Sequence, residues 1–270
     1  MITGTGLRYV KGHGTENDFV LLPDPEGRLT LSDEAIRRIC DRRAGLGADG
    51  VLRVVPAVLA EDGAPYAEQA RWFMDYRNAD GSVAEMCGNG VRVYARYLVE
   101  AGLARPGRLR LATRGGVKDV DVEHDGDITV DMGPVRVGEP VDIDGSQATS
   151  VDMGNPHAVV SVASVAALGV LSPGRRDLNV EYVEEVTPDH LRMRVHERGV
   201  GETRSCGTGA CAAVVATALR TGVARGVPYA VDVPGGRLTV TWRPDGHVLL
   251  AGPAVLVAEG ELRPEWLERQ

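Results

Sequence analysis

Cysteine is scarce in this chain, with four among 270 residues. That is too few for a disulfide scaffold, and a reducing compartment would keep them as thiols. The spacings that bind zinc are missing too: neither Cys-x2-Cys nor a regular Cys/His cluster occurs, so no metal site is expected. The most apolar stretch, 158–171, falls short of the roughly 18 residues a membrane span needs and contains Ser161 and Ser164. Residues 1–14 hold no apolar signal-peptide core. Positive charge is not in excess: 30 Lys and Arg face 38 Asp and Glu, for a formal net charge of −8, and no basic face is offered to nucleic acid. A soluble, cytoplasmic protein without a nucleic-acid or membrane partner is the expectation. G-K-[S/T], H-E-x-x-H and G-x-S-x-G are all absent. Gly45-Leu46-Gly47-Ala48-Asp49-Gly50 fits G-x-G-x-x-G, yet it follows a helix and opens a strand, the reverse of a dinucleotide site.

What is present is a repeated phrase around two of the cysteines. Met86-Cys87-Gly88-Asn89-Gly90 and Ser205-Cys206-Gly207-Thr208-Gly209 lie 119 residues apart. Each precedes an apolar, helix-compatible run, Val91–Leu98 and Ala210–Leu219, so each cysteine is expected at a helix N-terminus, where amide N–H groups and the helix dipole favour thiolate. Cys40, in the capped stretch Ser32–Cys40, and Cys211, among alanines and valines, read as core. The repeat extends further. Met74 lies opposite Met193 at 119, Gly115-Gly116 opposite Gly235-Gly236 at 120, Asp125-Gly126 opposite Asp245-Gly246 at 120, and Gly133-Pro134 opposite Gly252-Pro253 at 119. So long a period implies two duplicated domains. The chain length agrees, at roughly 150 residues per domain.

Short β-rich stretches separated by Gly, Pro and Asp turns recur in both halves, and helices are few. The expected fold class is α+β: two pseudo-symmetric duplicated domains, each a curled mixed β-sheet or barrel around one central, all-round apolar helix. The halves are placed at 1–126, carrying Cys87, and 127–257, carrying Cys206, with a tail, 258–270, packing back on the first. The stretch Val135–Ser150 carries no motif.

Two thiols on helix N-termini suit proton abstraction from one face of a carbon and donation to the other. A thiolate is a modest base, so removing an α-proton needs charge stabilisation and exclusion of water. The N–H groups of Gly88, Asn89, Gly207 and Thr208 are candidates to clasp an α-carboxylate, and glycines let a ligand approach the backbone.

Taken with these phrases, Lys11-Gly12-His13-Gly14-Thr15-Glu16-Asn17-Asp18-Phe19, Asn78-Ala79-Asp80-Gly81-Ser82, Met153-Gly154-Asn155-Pro156-His157 and His196-Glu197-Arg198-Gly199-Val200-Gly201-Glu202-Thr203 closely resemble the diaminopimelate epimerases, in order, from about Lys11 to Pro253. The resemblance implies that family's fold and a cofactor-independent isomerase, without pyridoxal, interconverting LL- and meso-diaminopimelate in lysine biosynthesis, as a homodimer. It implies Cys87 and Cys206 as base and acid, exchanging roles with direction. Asn17, Asn78, Asn155 and Asn179 match substrate-binding asparagines, Glu197 and Arg198 a pair near the distal amino-acid centre, and His157 and Glu197 residues that tune the thiols. Two positions depart from the family pattern: Glu16 stands where glycine is frequent, and Gly50 where some members carry a substrate-touching glutamine. Alternatives are a proline or hydroxyproline racemase of the same fold, which takes a smaller substrate, and a thiol redox protein, against which the lack of Cys-x-x-Cys speaks.

Overall fold

The computed structural model describes residues 6–123 and 126–267; the Asp125 landmark and the end of the expected tail lie outside them. Along the chain run β1 (Leu7–Gly14), β2 (Asn17–Pro23), α1 (Asp33–Cys40), β3 (Gly50–Pro56), β4 (Trp72–Asn78), α2 (Gly88–Glu100), β5 (Gly107–Thr113), β6 (Gly116–Val122), β7 (Ile128–Pro134), β8 (Arg136–Val137), β9 (Val141–Ile143), β10 (Ser146–Asp152) and β11 (Pro156–Ser161). There follow β12 (Asn179–Thr187), β13 (His190–Glu197), β14 (Gly201–Thr203), α3 (Gly207–Thr221), β15 (Pro228–Val233), β16 (Gly236–Trp242), β17 (His247–Gly252), β18 (Val255–Leu262) and α4 (Pro264–Leu267).

Two compact units result. The first runs up to Gly14, through Asp18–Ile128, and from Ala254 onward; the second comprises Thr15–Asn17 and Thr129–Pro253. The dividing line thus falls at Ile128 rather than 126, the returning segment starts at Ala254 rather than 258, and Asn17 groups with the second unit. The return has a physical cause: β18 pairs antiparallel with β1, from Leu7 opposite Leu262 to His13 opposite Val255, and gives β1 a second partner besides β2.

Each unit is a mixed sheet wrapped on a helix. In the first, α2 packs against β1, β3, β4, β6 and β18 and buries Val91, Val93, Tyr94, Ala95 and Leu98. In the second, α3 packs against β10, β11, β12, β13, β16 and β17, with Ala210 to Ala218 all buried. Such all-round burial explains why α3 reads as continuously apolar rather than amphipathic; α2, expected to be alike, instead buries the charged Arg92 and Arg96 among its apolar side chains. α3 stops at Gly222, whose φ of +72° suits a left-handed C-cap.

Strand registers carry the duplication into three dimensions. β4 and β5 run parallel with Trp72 opposite Leu111, and β13 and β15 run parallel with Leu191 opposite Val231. Antiparallel β5–β6 sets Leu111 opposite Lys118, and β15–β16 sets Val231 opposite Leu238. Parallel β2–β3 sets Phe19 opposite Gly50, and parallel β11–β12 sets His157 opposite Asn179. Matched in this way, Asn17 corresponds to Asn155, Phe19 to His157, Leu52 to Glu181, Asn78 to Glu197 and Cys87 to Cys206.

Candidate active site

Each unit carries a half-site at the start of its central helix. Cys87 is the N-cap of α2 in extended conformation, φ −140° and ψ 121°, and its sulfur accepts from the Gly90 N–H at 3.4 Å. Cys206 caps α3 alike, φ −127° and ψ 115°, with its sulfur 3.4 Å from the Gly209 nitrogen. An N-cap sulfur takes the place of the Ser or Asp oxygen that ordinarily satisfies a first-turn amide, and a thiolate there would gain from the same N–H and the helix dipole. Gly88 and Asn89, and Gly207 and Thr208, are the first two residues of their helices.

In the first unit Asn78 ends β4 and its Nδ2 donates to Ser82 Oγ at 3.0 Å. The first turn of α2 rests on apolar side chains: a β-carbon on Gly90 would lie 3.5 Å from Leu52 and Phe19. Gly50, inside β3, is barred from carrying a side chain, since a β-carbon would sit 2.5 Å from the Arg77 carbonyl and 2.7 Å from the Tyr76 ring. Tyr76, edge-on to Phe19 with centroids 5.8 Å apart, fills the space that glutamine would enter.

The second unit is more polar. Thr208 Oγ1 lies 3.5 Å from Cys206 Sγ and accepts from Asn155 Nδ2 at 3.4 Å. Asn155 Oδ1 lies 3.1 Å from His157 Nε2, and His157 Nδ1 lies 2.7 Å from Glu181 Oε1. Asn179 Nδ2 donates to the Pro156 carbonyl at 2.9 Å and its Oδ1 accepts from the Arg198 N–H at 3.0 Å, which braces the loop that carries Arg198. Glu197 accepts from the Thr203 hydroxyl, and the Arg198 side chain is exposed. Asn155, His157, Asn179, Glu197, Arg198, Cys206, Gly207 and Thr208 therefore belong to one unit, as do Asn78, Cys87, Gly88 and Asn89 to the other.

Electrostatics modify the sequence expectation at Cys206. Burial pushes this thiol well above the usual range, the carboxylates of Glu197 and Glu181 push the same way, and hydrogen bonds with Thr208 and Gly209 pull it back only in part. The expected thiolate-favouring helix terminus is here outweighed by desolvation. Cys40, buried as expected, is raised to about 12 by desolvation first.

Two features escaped sequence reasoning. Glu181 is fully buried beneath the first turn of α3; its signal was a carboxylate two residues after Asn179, on the same face of the strand. The departure at Glu16 has a compensating partner: Glu16 has φ +62° and Thr15 +49°, and the Arg204 guanidinium binds the Glu16 carboxylate. Thr15 Oγ1 also meets Ser205 Oγ, the residue before Cys206, at 2.6 Å.

A family model for diaminopimelate epimerase matches residues 9–138 and 149–257. The chain is 53% identical to the diaminopimelate epimerase of Streptomyces coelicolor, with 98% of each covered, and 50% identical to that of Thermobifida fusca, with 95% of this chain and 98% of the relative covered. Among solved structures, a PhzF-family protein of Bacillus anthracis matches with a TM-score of 0.74 at 17% identity, over 96% of this chain and 100% of that one. A hydroxyproline epimerase from Agrobacterium vitis matches at 0.70 and 16%, over 96% and 91%; at such identities the likeness is one of fold. By family model and by full-length relatives, the chain belongs to the diaminopimelate epimerase family.

Proposed function

We propose that the protein is an isomerase that interconverts LL- and meso-diaminopimelate by two-base proton transfer, without metal or pyridoxal, in the lysine pathway of the cytoplasm. The observation that carries the reading is the pair of N-cap cysteines at corresponding positions of duplicated units, in a chain of this family. In the proposed reaction a thiolate takes the α-proton from one face and the opposite thiol delivers its own proton to the other. The forward step leaves the donor as thiolate and the base as thiol, so the reverse reaction uses them in exchanged roles.

Burial of Cys206 supports assigning it the protonated, donor role at rest, with Cys87 as the base. The N–H groups of Gly88, Asn89, Gly207 and Thr208 are assigned to the α-carboxylate, where charge builds as the proton leaves. Asn17, Asn78, Asn155, Asn179, Glu197 and Arg198 are assigned to the rest of this long bipolar substrate, with His157 and Glu197 adjusting the thiols. A homodimer is part of the proposal; β18, with Val255 and Val257 at 45% and 61% exposure beside a groove of about 650 Å³ containing Tyr9, Trp72 and Tyr97, is the surface assigned to the second copy.

The test is incubation with LL-diaminopimelate in deuterated water. The expected result is meso product with one solvent deuterium at a single α-carbon, and turnover of proline in its place would overturn the substrate assignment.

A further inference from the structure

Beneath the two cysteine helices, duplicated positions hold opposite chemistry. The first turn of α2 rests on Phe19 and Leu52, whereas the first turn of α3 rests on Glu181, the counterpart of Leu52, and the counterpart of Phe19 is His157, paired with Glu181; both side chains are fully buried. Packing alone is thus satisfied by two apolar residues. A buried carboxylate is an expensive substitute unless its charge is used or compensated. Glu181 is only partly compensated: Oε1 meets His157 Nδ1 at 2.7 Å, while Oε2 is buried with no hydrogen-bond partner. It presses so close to α3 that a β-carbon on Gly209 would lie 2.7 Å from Oε1.

We propose that Glu181 is a positioning residue for proton transfer at Cys206: it anchors His157, which holds Asn155, which orients the Thr208 hydroxyl against the sulfur. The relay is continuous in contacts, from Glu181 to His157 at 2.7 Å, to Asn155 at 3.1 Å, to Thr208 at 3.4 Å and to Cys206 at 3.5 Å. The Asn155 amide oxygen can only accept, so His157 Nε2 donates to it, and this leaves the Asn155 NH₂ turned towards Thr208. The charged groups that face Cys206 are Glu197 from β13 and Glu181 from β12, and α3 adds the neutral donors Thr208 and Gly209. Under the first turn of α2 the corresponding positions hold the apolar side chains of Phe19 and Leu52.

The inference rests on the proposed role of Cys206 in proton transfer, and the test separates the two. Glu181→Gln keeps the shape and removes the charge. The double variant His157→Phe/Glu181→Leu reproduces the packing found under α2 and is expected to fold. For Glu181→Gln we expect kcat to fall by about tenfold or more with KM within about twofold, and the limb of the pH profile that belongs to Cys206 to move to lower pH by about half a unit, because a negative charge near the thiol is lost. Iodoacetamide labelling of Cys206, followed by mass spectrometry of the peptide Ser205–Arg220, should show the same shift without any turnover. A folded double variant with wild-type kcat, or a Glu181→Gln variant with wild-type kcat and an unmoved labelling profile, would overturn the role. A labelling shift in a protein that does not epimerise diaminopimelate would instead leave the relay standing and remove the proposed function.

Discussion

The carboxylate of Glu16 is held by the guanidinium of Arg204 while Glu16 itself occupies the left-handed region, φ +62°. The family's frequent glycine at this place would adopt that conformation freely. Here an exposed ion pair and a strained residue stand in for it. Glu16→Gly should therefore change unfolding stability by less than about 1 kcal/mol, strain relief being offset by the lost pair and the freer unfolded chain. Glu16→Val should cost about 1–3 kcal/mol, since a β-branched residue is poorly tolerated at positive φ. Urea titrations followed by circular dichroism would read both, and equal midpoints for the two variants would refute the account.

The two first-turn glycines should respond oppositely to alanine. A β-carbon on Gly90 meets only ordinary contacts at 3.5 Å, whereas one on Gly209 meets Glu181 at 2.7 Å. Gly90→Ala is expected to be neutral or to stabilise by up to about 1 kcal/mol through helix propensity, and Gly209→Ala to destabilise by about 1–3 kcal/mol. Thermal melts of the pair would decide it.

Single cysteine variants separate a two-base from a one-base reaction. Cys87→Ala and Cys206→Ala should each lower epimerisation by at least about a thousandfold, because one face then lacks its proton carrier. Each Cys→Ser variant should still eliminate hydrogen fluoride from the β-fluoro analogue whose α-hydrogen faces the remaining thiol. A shared preference for one isomer in both variants would assign all the proton chemistry to one cysteine.

Buried thiols make an alkaline prediction. Cys40, raised to about 12 from 9.0, favours its neutral form in the folded protein. Its stabilising contribution is complete below the unfolded value and is lost as pH climbs from 9.0 towards 12, at up to about 1.4 kcal/mol per pH unit. Cys40→Ala should flatten the decline of unfolding stability between pH 9 and 11, measured against wild type; parallel slopes would contradict the burial argument.

Exhaustive chelation should leave epimerisation unchanged. Activity lost to a chelator and restored by zinc would contradict a reaction carried by thiols and backbone donors alone.

The Cys-Gly-x-Gly phrases were legible because glycine, cysteine and an apolar run each carry a distinct local signal, and α2 and α3 follow them directly. The expected β-stretches around Phe19, Val51 and Leu238 were legible for the same reason, through branched and apolar residues bounded by turns. Glu181 was not, because Asn179-Val180-Glu181-Tyr182 alternates like a half-exposed strand, and only the helix laid across β12 turns that charged face inward. β10 was hidden by its polar composition, Ser-Gln-Ala-Thr-Ser, and β18 by its exposure. Both strands are decided by pairing partners distant in sequence, which composition does not encode. The left-handed turn at Glu16 was equally silent, since glutamate has no preference for it and its partner lies 188 residues away.

The pairing of β18 with β1 has a bearing on synthesis. β18 emerges from the ribosome only after the whole second unit, so while that unit is being made β1 presents a bare strand edge with every residue of its future partner still untranslated. Such an edge is a site for wrong pairing between nascent chains. Assembly of the first unit therefore depends on translation running past the second, and a pause in the codons before Val255 would prolong the interval in which β1 is open.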